Sequence, residues 1–211
     1  MFRVRLFAGV AGPVLFTVVT LIEGATRPDY SPVRQLISEL ALTSRGWVQS
    51  VDFVVSGSLL VLFATGMHSA IRSGPASTWG PRWVALAGAA LTAAGIFVID
   101  PGPNYPPGAT PTRSWHGLLH QVCGLLLFLA LTLTAFVYAR RVAKPYGVAV
   151  GALIIALFFF GTNVLVALSY AGVWPGAPAG LLESLSVYLG LSWIITLAIH
   201  TLRHTPAPIP A

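Results

Sequence analysis

The sequence predicts an all-α fold: a polytopic bundle of six transmembrane helices, with a short amphipathic interfacial helix in its first outer loop. Three observations carry this. The chain of 211 residues is 55% hydrophobic and only 9% charged, with a mean hydropathy of +0.79, too little charge to cover a soluble domain. Six stretches approach the ~20 apolar residues a helix needs to cross a hydrocarbon core of about 30 Å. The cations flank these stretches rather than forming a basic stripe, which turns a sequence pI near 10.1 into a statement about topology and excludes nucleic-acid binding.

The first stretch, Leu6–Ile22, follows Arg3 and Arg5 as a signal peptide's apolar run would. It reaches Glu23 without a small-x-small cleavage pattern and carries Pro13 midway, so it reads as a retained span. Gly9 and Gly12 beside Pro13 predict a close helix contact and a kink. In the loop that follows, Ser31-Pro32 offers a capping hydroxyl and a proline at the first helical position. Val33, Leu36, Ile37, Leu40 and Ala41 then recur at helical spacing, with Arg34, Gln35, Ser38 and Glu39 on the other face. This predicts a short amphipathic helix lying at the outer interface or packed over the bundle mouth.

The second and third spans are Trp47–Ile71 and Pro81–Ile99. The third is rich in small residues (Ala85, Gly88, Ala89, Ala90, Ala94, Gly95), which let backbones approach closely and predict a central position. The loop Pro101–Thr112 holds five prolines and is expected to be irregular but stiff. Trp115–Ala139, Tyr146–Tyr170 and Leu181–Thr201 complete the set. Residues 1–204 thus form one domain, and 205–211, proline alternating with small residues, read as a disordered tail. The single cysteine, Cys123, lies inside the fourth span, so no intrachain disulfide forms.

Eight Lys/Arg (Arg3, Arg5, Arg72, Arg82, Arg140, Arg141, Lys144, Arg203) fall on one side of this arrangement, against Arg27, Arg34, Arg45 and Arg113 on the other. The positive-inside rule places both termini in the cytoplasm of a cell-membrane protein. Trp47, Trp115 and Trp174 then mark the outer interface, Trp79 and Trp83 the inner one.

All six carboxylates (Glu23, Asp29, Glu39, Asp52, Asp100, Glu183) fall on or near the outer side. Ionisable groups at a hydrocarbon boundary are costly unless paired, hydrated or metal-bound, so the cluster is the functional lead. His116 and His120, four apart, share a helix face, with Cys123 one turn deeper. With Asp100 they could hold zinc with an open position for water, whose lowered pKa would serve attack on an ester or amide assisted by Glu39, Glu23 or Ser38. The same histidines could equally bond backbone, water or a carboxylate at a helix entrance. Candidate catalytic residues are therefore Ser38, Glu39, Asp100, His116 and His120, and candidate binding residues Glu23, Arg27, Arg34 and Asp52. Simpler roles stand beside these. Arg27 with Asp29 and Arg34 with Glu39 could be surface ion pairs, and Asp52 and Glu183 could favour the starts of their helices. Glu23 and Asp100 sit at helix ends where the dipole disfavours negative charge, which calls for partners: Arg27 for the first, His116 or His120 for the second.

Several motifs, in order, resemble a bacterial and archaeal membrane family, domain of unknown function 998. They are Gly12-Pro13 with Phe16, Glu23, Arg27-Pro28-x-Tyr30, Ser38-Glu39-Leu40 and Gly46-Trp47-Val48-Gln49 with Phe53 and Gly57. Gly95-Ile96-Phe97 running to Asp100-Pro101, Tyr105-Pro106 and His116-Gly117-x-x-His120 follow. The likeness covers about the first two thirds and implies a six-span bundle in the cell membrane, with no activity to carry over. A looser likeness is to the membrane hydrolases that include alkaline ceramidases and adiponectin-receptor-like proteins, which gather a serine, an aspartate and three histidines around zinc. Ser38, Asp100, His116 and His120 match that set in part; a third outer histidine is lacking, and both histidines share one middle helix. The expected functions are an enzyme acting on a lipid-like molecule at the outer leaflet, a non-catalytic sensor, lipid-binding or assembly module, and, behind these, a small-solute or proton carrier.

Overall fold

The long apolar stretches fold as six antiparallel α-helices: α1 (Phe2–Thr26), α2 (Gly46–Ala70), α3 (Pro75–Ile96), α4 (Trp115–Ala139), α5 (Pro145–Tyr170) and α6 (Ala179–His204). The computed structural model describes residues 2–102, 105–139 and 145–204. Arg140, Arg141, Lys144 and the 205–211 tail lie outside the described residues. Each helix packs on its neighbours in sequence, and α6 closes the ring onto α1. The segments after α1, α3 and α5 gather at one end, here the cap end; the turn between α2 and α3 lies at the opposite, base end.

Close backbone approach organises the first half of the ring. A Cβ on Gly57 would come within 2.5 Å of the Gly88 carbonyl, and one on Gly88 within 2.6 Å of the Gly57 carbonyl, so α2 and α3 touch backbone to backbone. The Phe63 ring fills the notch left by Gly9 on α1. Leu6, Leu60, Phe63, Met67, Val84, Leu131 and Ile194 form the most deeply buried apolar centre.

Among the described residues, five of the six long helices are long and apolar enough to cross a membrane, and the chain is a multi-pass membrane protein. The exception is α3. Its first part holds Ser77, Thr78, Pro81 and Arg82, which lower its hydropathy. Exposed apolar side chains line the outer faces of α4 and α5, among them Leu118, Val122, Leu125, Leu129, Leu153, Leu157 and Phe160. Such faces suit lipid rather than water.

The first loop differs from its expected form. Residues Ser31–Gln35 make a turn, and a 3-10 helix over Ile37–Leu42 replaces the amphipathic α-helix starting at Ser31. Most of the polar face is turned inward: Gln35, Ser38 and Glu39 are buried along with Ile37 and Leu40, while Arg34 stays exposed. The reason is competition for backbone partners. The Ser31 carbonyl accepts the Arg34 and Gln35 N–H groups, while the Leu36 and Ile37 N–H groups donate to the carboxylates of Glu39 and Glu183 at 2.7 and 2.6 Å. Side-chain acceptors thus take donors that an α-helix from Ser31 would have given to the Pro32 and Val33 carbonyls. The Leu181 N–H donates to the Val33 carbonyl at 3.1 Å, which seats the start of α6 against the same loop.

Candidate functional site

Beneath the cap-end loops, between α4, α5 and α6, lies a cavity of about 960 Å³. Its polar end is lined by Arg34, Ser38, Glu39, Asp100, Arg113, His120 and Glu183. Its shaft is lined by Gly124, Phe128, Phe159 and Val166, with Gln121, Thr162 and Asn163 among them. The Phe128 and Phe159 rings stack with centroids 4.0 Å apart. Phe128 is thirteen residues along from Trp115, so at 1.5 Å per residue the shaft reaches about 20 Å into the bundle. Most polar at one end and apolar toward the Phe128–Phe159 stack, the space fits an elongated amphiphile.

Glu39 forms part of the polar wall. Its carboxylate accepts the Leu36 N–H and packs against Gly102. Burial pushes its pKa from the ordinary 4.5 to about 7, with the Leu36 bond opposing the rise. Tyr30, whose ionisation is pushed far up by burial and by Glu183 and Glu39, stays a neutral donor and bonds the Gln35 and Leu36 carbonyls at 3.3 and 3.2 Å. The raised Glu39 pKa links to stability with a definite sign. The folded state holds the proton more tightly, so stability is gained as pH falls from about 7 toward 4.5 and is absent above 7. Glu39→Gln keeps an acceptor for Leu36 and carries no charge. We expect it to unfold at higher temperature than wild type at pH 8, with the gap closing toward pH 5; a pH-independent gap in thermal unfolding would contradict the assignment.

Asp100 binds the start of α4. Its two oxygens accept the Ser114 N–H and hydroxyl, both at 2.6 Å, and the Ser114 hydroxyl accepts the Gly117 N–H at 3.1 Å. Ser114 is therefore the cap of α4, and Asp100 lies against a helix N-terminus, where the dipole favours its charge. Burial pushes the Asp100 carboxyl up, but the two Ser114 bonds and the neighbouring His116 and His120 hold it below its usual value. Only glycine fits at 117, because a Cβ there would collide with the Asp100 carboxylate.

The two histidines attach α4 to the end of α3. His116 Nδ1 bonds the Val98 carbonyl at 3.0 Å, and His120 Nδ1 bonds the Ala94 and Phe97 carbonyls at 3.0 and 2.8 Å. These carbonyls belong to the last turn of α3 and its exit, whose acceptors have no intrahelical donor. His116, 44% exposed and with Nδ1 3.8 Å from Asp100, does not line the cavity; buried His120 does. Among the described residues no group of three His, Cys, Asp or Glu side chains is placed to hold a metal, so the residues present do not fit the zinc centre considered for His116, His120 and Asp100.

Of the remaining candidates, Glu23 and Arg27 form a separate cluster between the end of α1 and the start of α2. Glu23 is bonded by Arg27 and by Arg45, and Arg27 also donates to the Thr43 hydroxyl. Arg27 therefore partners Glu23 rather than Asp29, which answers the unfavourable helix-end position of that acid. Asp52 does not cap α2. It lies buried within it, accepting from Gln49 at 3.3 Å and Ser56 at 3.1 Å. Arg34 and Glu39 form no ion pair. Cavity residues not singled out from sequence include Arg113, Gln121, Gly124, Thr162 and Tyr170, and Glu183 has a larger role than a helix-start charge. Ser114, directly before an apolar helical run, carried a readable cap signal.

The family model described as "Protein of unknown function (DUF998)" matches residues 10–200. It extends through α5 and α6, beyond the motifs that end at His120. No curated protein and no solved structure matches.

Proposed function

Taking as premise that the chain belongs to the DUF998 family of proteins of unknown function, we propose that it is a six-span cell-membrane protein that binds a lipid-like amphiphile from the outer leaflet. In this reading α3 crosses with the other five helices, being tied backbone to backbone to α2. The cation balance of the loops puts both termini in the cytoplasm and the cap end outside. The observation that carries the proposal is the cavity itself: a polar pocket continuous with an apolar shaft between lipid-facing helices. No carboxylate lies deeper toward the base end than Asp52, which favours a binding pocket over a continuous path for solute or protons.

The test is saturable binding of a single-chain amphiphile to purified protein in phosphatidylcholine nanodiscs, one per chain, displaced by a second amphiphile. Binding that never saturates, or that short-chain headgroup analogues reproduce, would contradict the proposal. One observation favours a catalytic variant of this reading: Glu39, with a pKa near neutrality, shares the cavity with Ser38 and His120 and could exchange a proton with bound substrate. Turnover of a captured ester, lost in Glu39→Gln, would establish that variant.

A further inference from the structure

We propose that the amphiphile is anionic, with a phosphate or carboxylate head held by Arg34 and Arg113 at the mouth and an uncharged oxygen of its neck bonded by Glu39. The inference rests on the amphiphile-binding reading and names the class of ligand for the same cavity.

The order of chemistries along the cavity is the first support. Arg34 and Arg113 line it and are both exposed, Glu39 is buried and Glu183 half-buried, and the apolar shaft runs on to Phe128 and Phe159. An anionic lipid presents the same sequence: charged head, ester or hydroxyl neck, alkyl chain. A cationic lipid would put its charge at the arginine rim.

The second support is the state of the charges. Among the described residues neither arginine lies within ion-pair distance of a carboxylate; the only arginines so paired are Arg27 and Arg45, both on Glu23. Two guanidiniums at the mouth of one cavity without counter-charges form a receptor for an oxyanion. The acids of the wall are turned to other donors rather than to these arginines. Asp100 is committed to Ser114, and Glu39 and Glu183 face the Leu36 and Ile37 N–H groups. With a pKa near 7, Glu39 is about half protonated at neutral pH, and a protonated carboxyl donates to an ester or hydroxyl oxygen.

The experiment compares four probes on the full chain in phosphatidylcholine nanodiscs: dodecyl phosphate, monolauroylglycerol, dodecylammonium and inorganic phosphate. Dodecyl phosphate is expected to bind at least about tenfold tighter than monolauroylglycerol, the scale of one charge-assisted hydrogen bond. The double variant Arg34→Gln/Arg113→Gln should erase that preference. Wild-type selectivity among the probes decides the matter even if the double variant does not fold. Equal binding of dodecyl phosphate and monolauroylglycerol, or tightest binding of dodecylammonium, would overturn the anionic assignment while leaving amphiphile binding intact. Inorganic phosphate binding as well as dodecyl phosphate would make the ligand a free anion and overturn it too. Binding of no chain-bearing probe would remove both proposals.

Discussion

Gly124→Leu is expected to abolish amphiphile capture without lowering thermal stability. Gly124 sits on α4, one helical turn before Phe128, and lines the shaft. A Cβ built there meets nothing within 4 Å, so a side chain at this position grows into the cavity rather than into a neighbouring helix. A glycine inside a helix costs roughly 0.5–1 kcal/mol relative to alanine, and replacing it restores some helix stability. The leucine would then occupy the space between the polar end and the Phe128–Phe159 stack. Each methylene kept out of an apolar site costs about 0.8 kcal/mol, so excluding only two weakens binding about tenfold, and a blocked shaft excludes more. Binding isotherms with dodecyl phosphate or monolauroylglycerol would show the loss, while Gly124→Ala, leaving most of the shaft open, should bind like wild type. If Gly124→Leu binds normally, the chain of the ligand does not run down this shaft. The contrast with position 117 is instructive: there the same change would drive a side chain into Asp100 and displace the start of α4.

That contrast also shows what the sequence could and could not reveal. Six helices were legible because hydropathy and helix length are local properties, and the ends fell within four residues of those expected except the start of α3, at Pro75 rather than Pro81. The close approach of α3 to α2 was legible from its small residues. The gathering of Ser38, Glu39, Asp100 and His120 at one end was legible from topology, since alternate helix ends must meet. The partner of each group was not. His116 and His120 have a spacing that suits a metal, yet both Nδ1 atoms bond carbonyls at the end of α3, a requirement set by the neighbouring helix. The first loop read as an α-helix because its apolar residues recur at the right interval. What that pattern omits is that Glu39 and Glu183, the latter 146 residues from Ile37, supply acceptors that stabilise a tighter turn. Gly124 carried no signal at all, because an empty volume is defined by three helices at once.

Arg27→Ala is expected to cost far more stability than Arg45→Ala, although both arginines bond the same carboxylate. Glu23 stands in the last turn of α1, where the helix dipole opposes a negative charge, and its side chain is 5% exposed. The Arg27 side chain is 2% exposed, and the Arg45 side chain is 47% exposed. Removing Arg27 leaves a buried carboxylate with one solvent-screened partner, takes away the donor to Thr43, and opens a void between α1 and the loop. Losing one partner of a buried pair costs about 3–5 kcal/mol. Arg45 makes a bond in water-accessible surroundings, where such pairs contribute about 0–1 kcal/mol. Thermal unfolding in detergent should therefore separate the two variants clearly, and Glu23→Gln combined with Arg27→Ala should recover part of the loss by removing the stranded charge. Equal destabilisation by the two single variants would mean that Glu23 is solvated in the folded protein. The cluster would then be a surface network rather than the buried joint that fixes the first loop over the bundle.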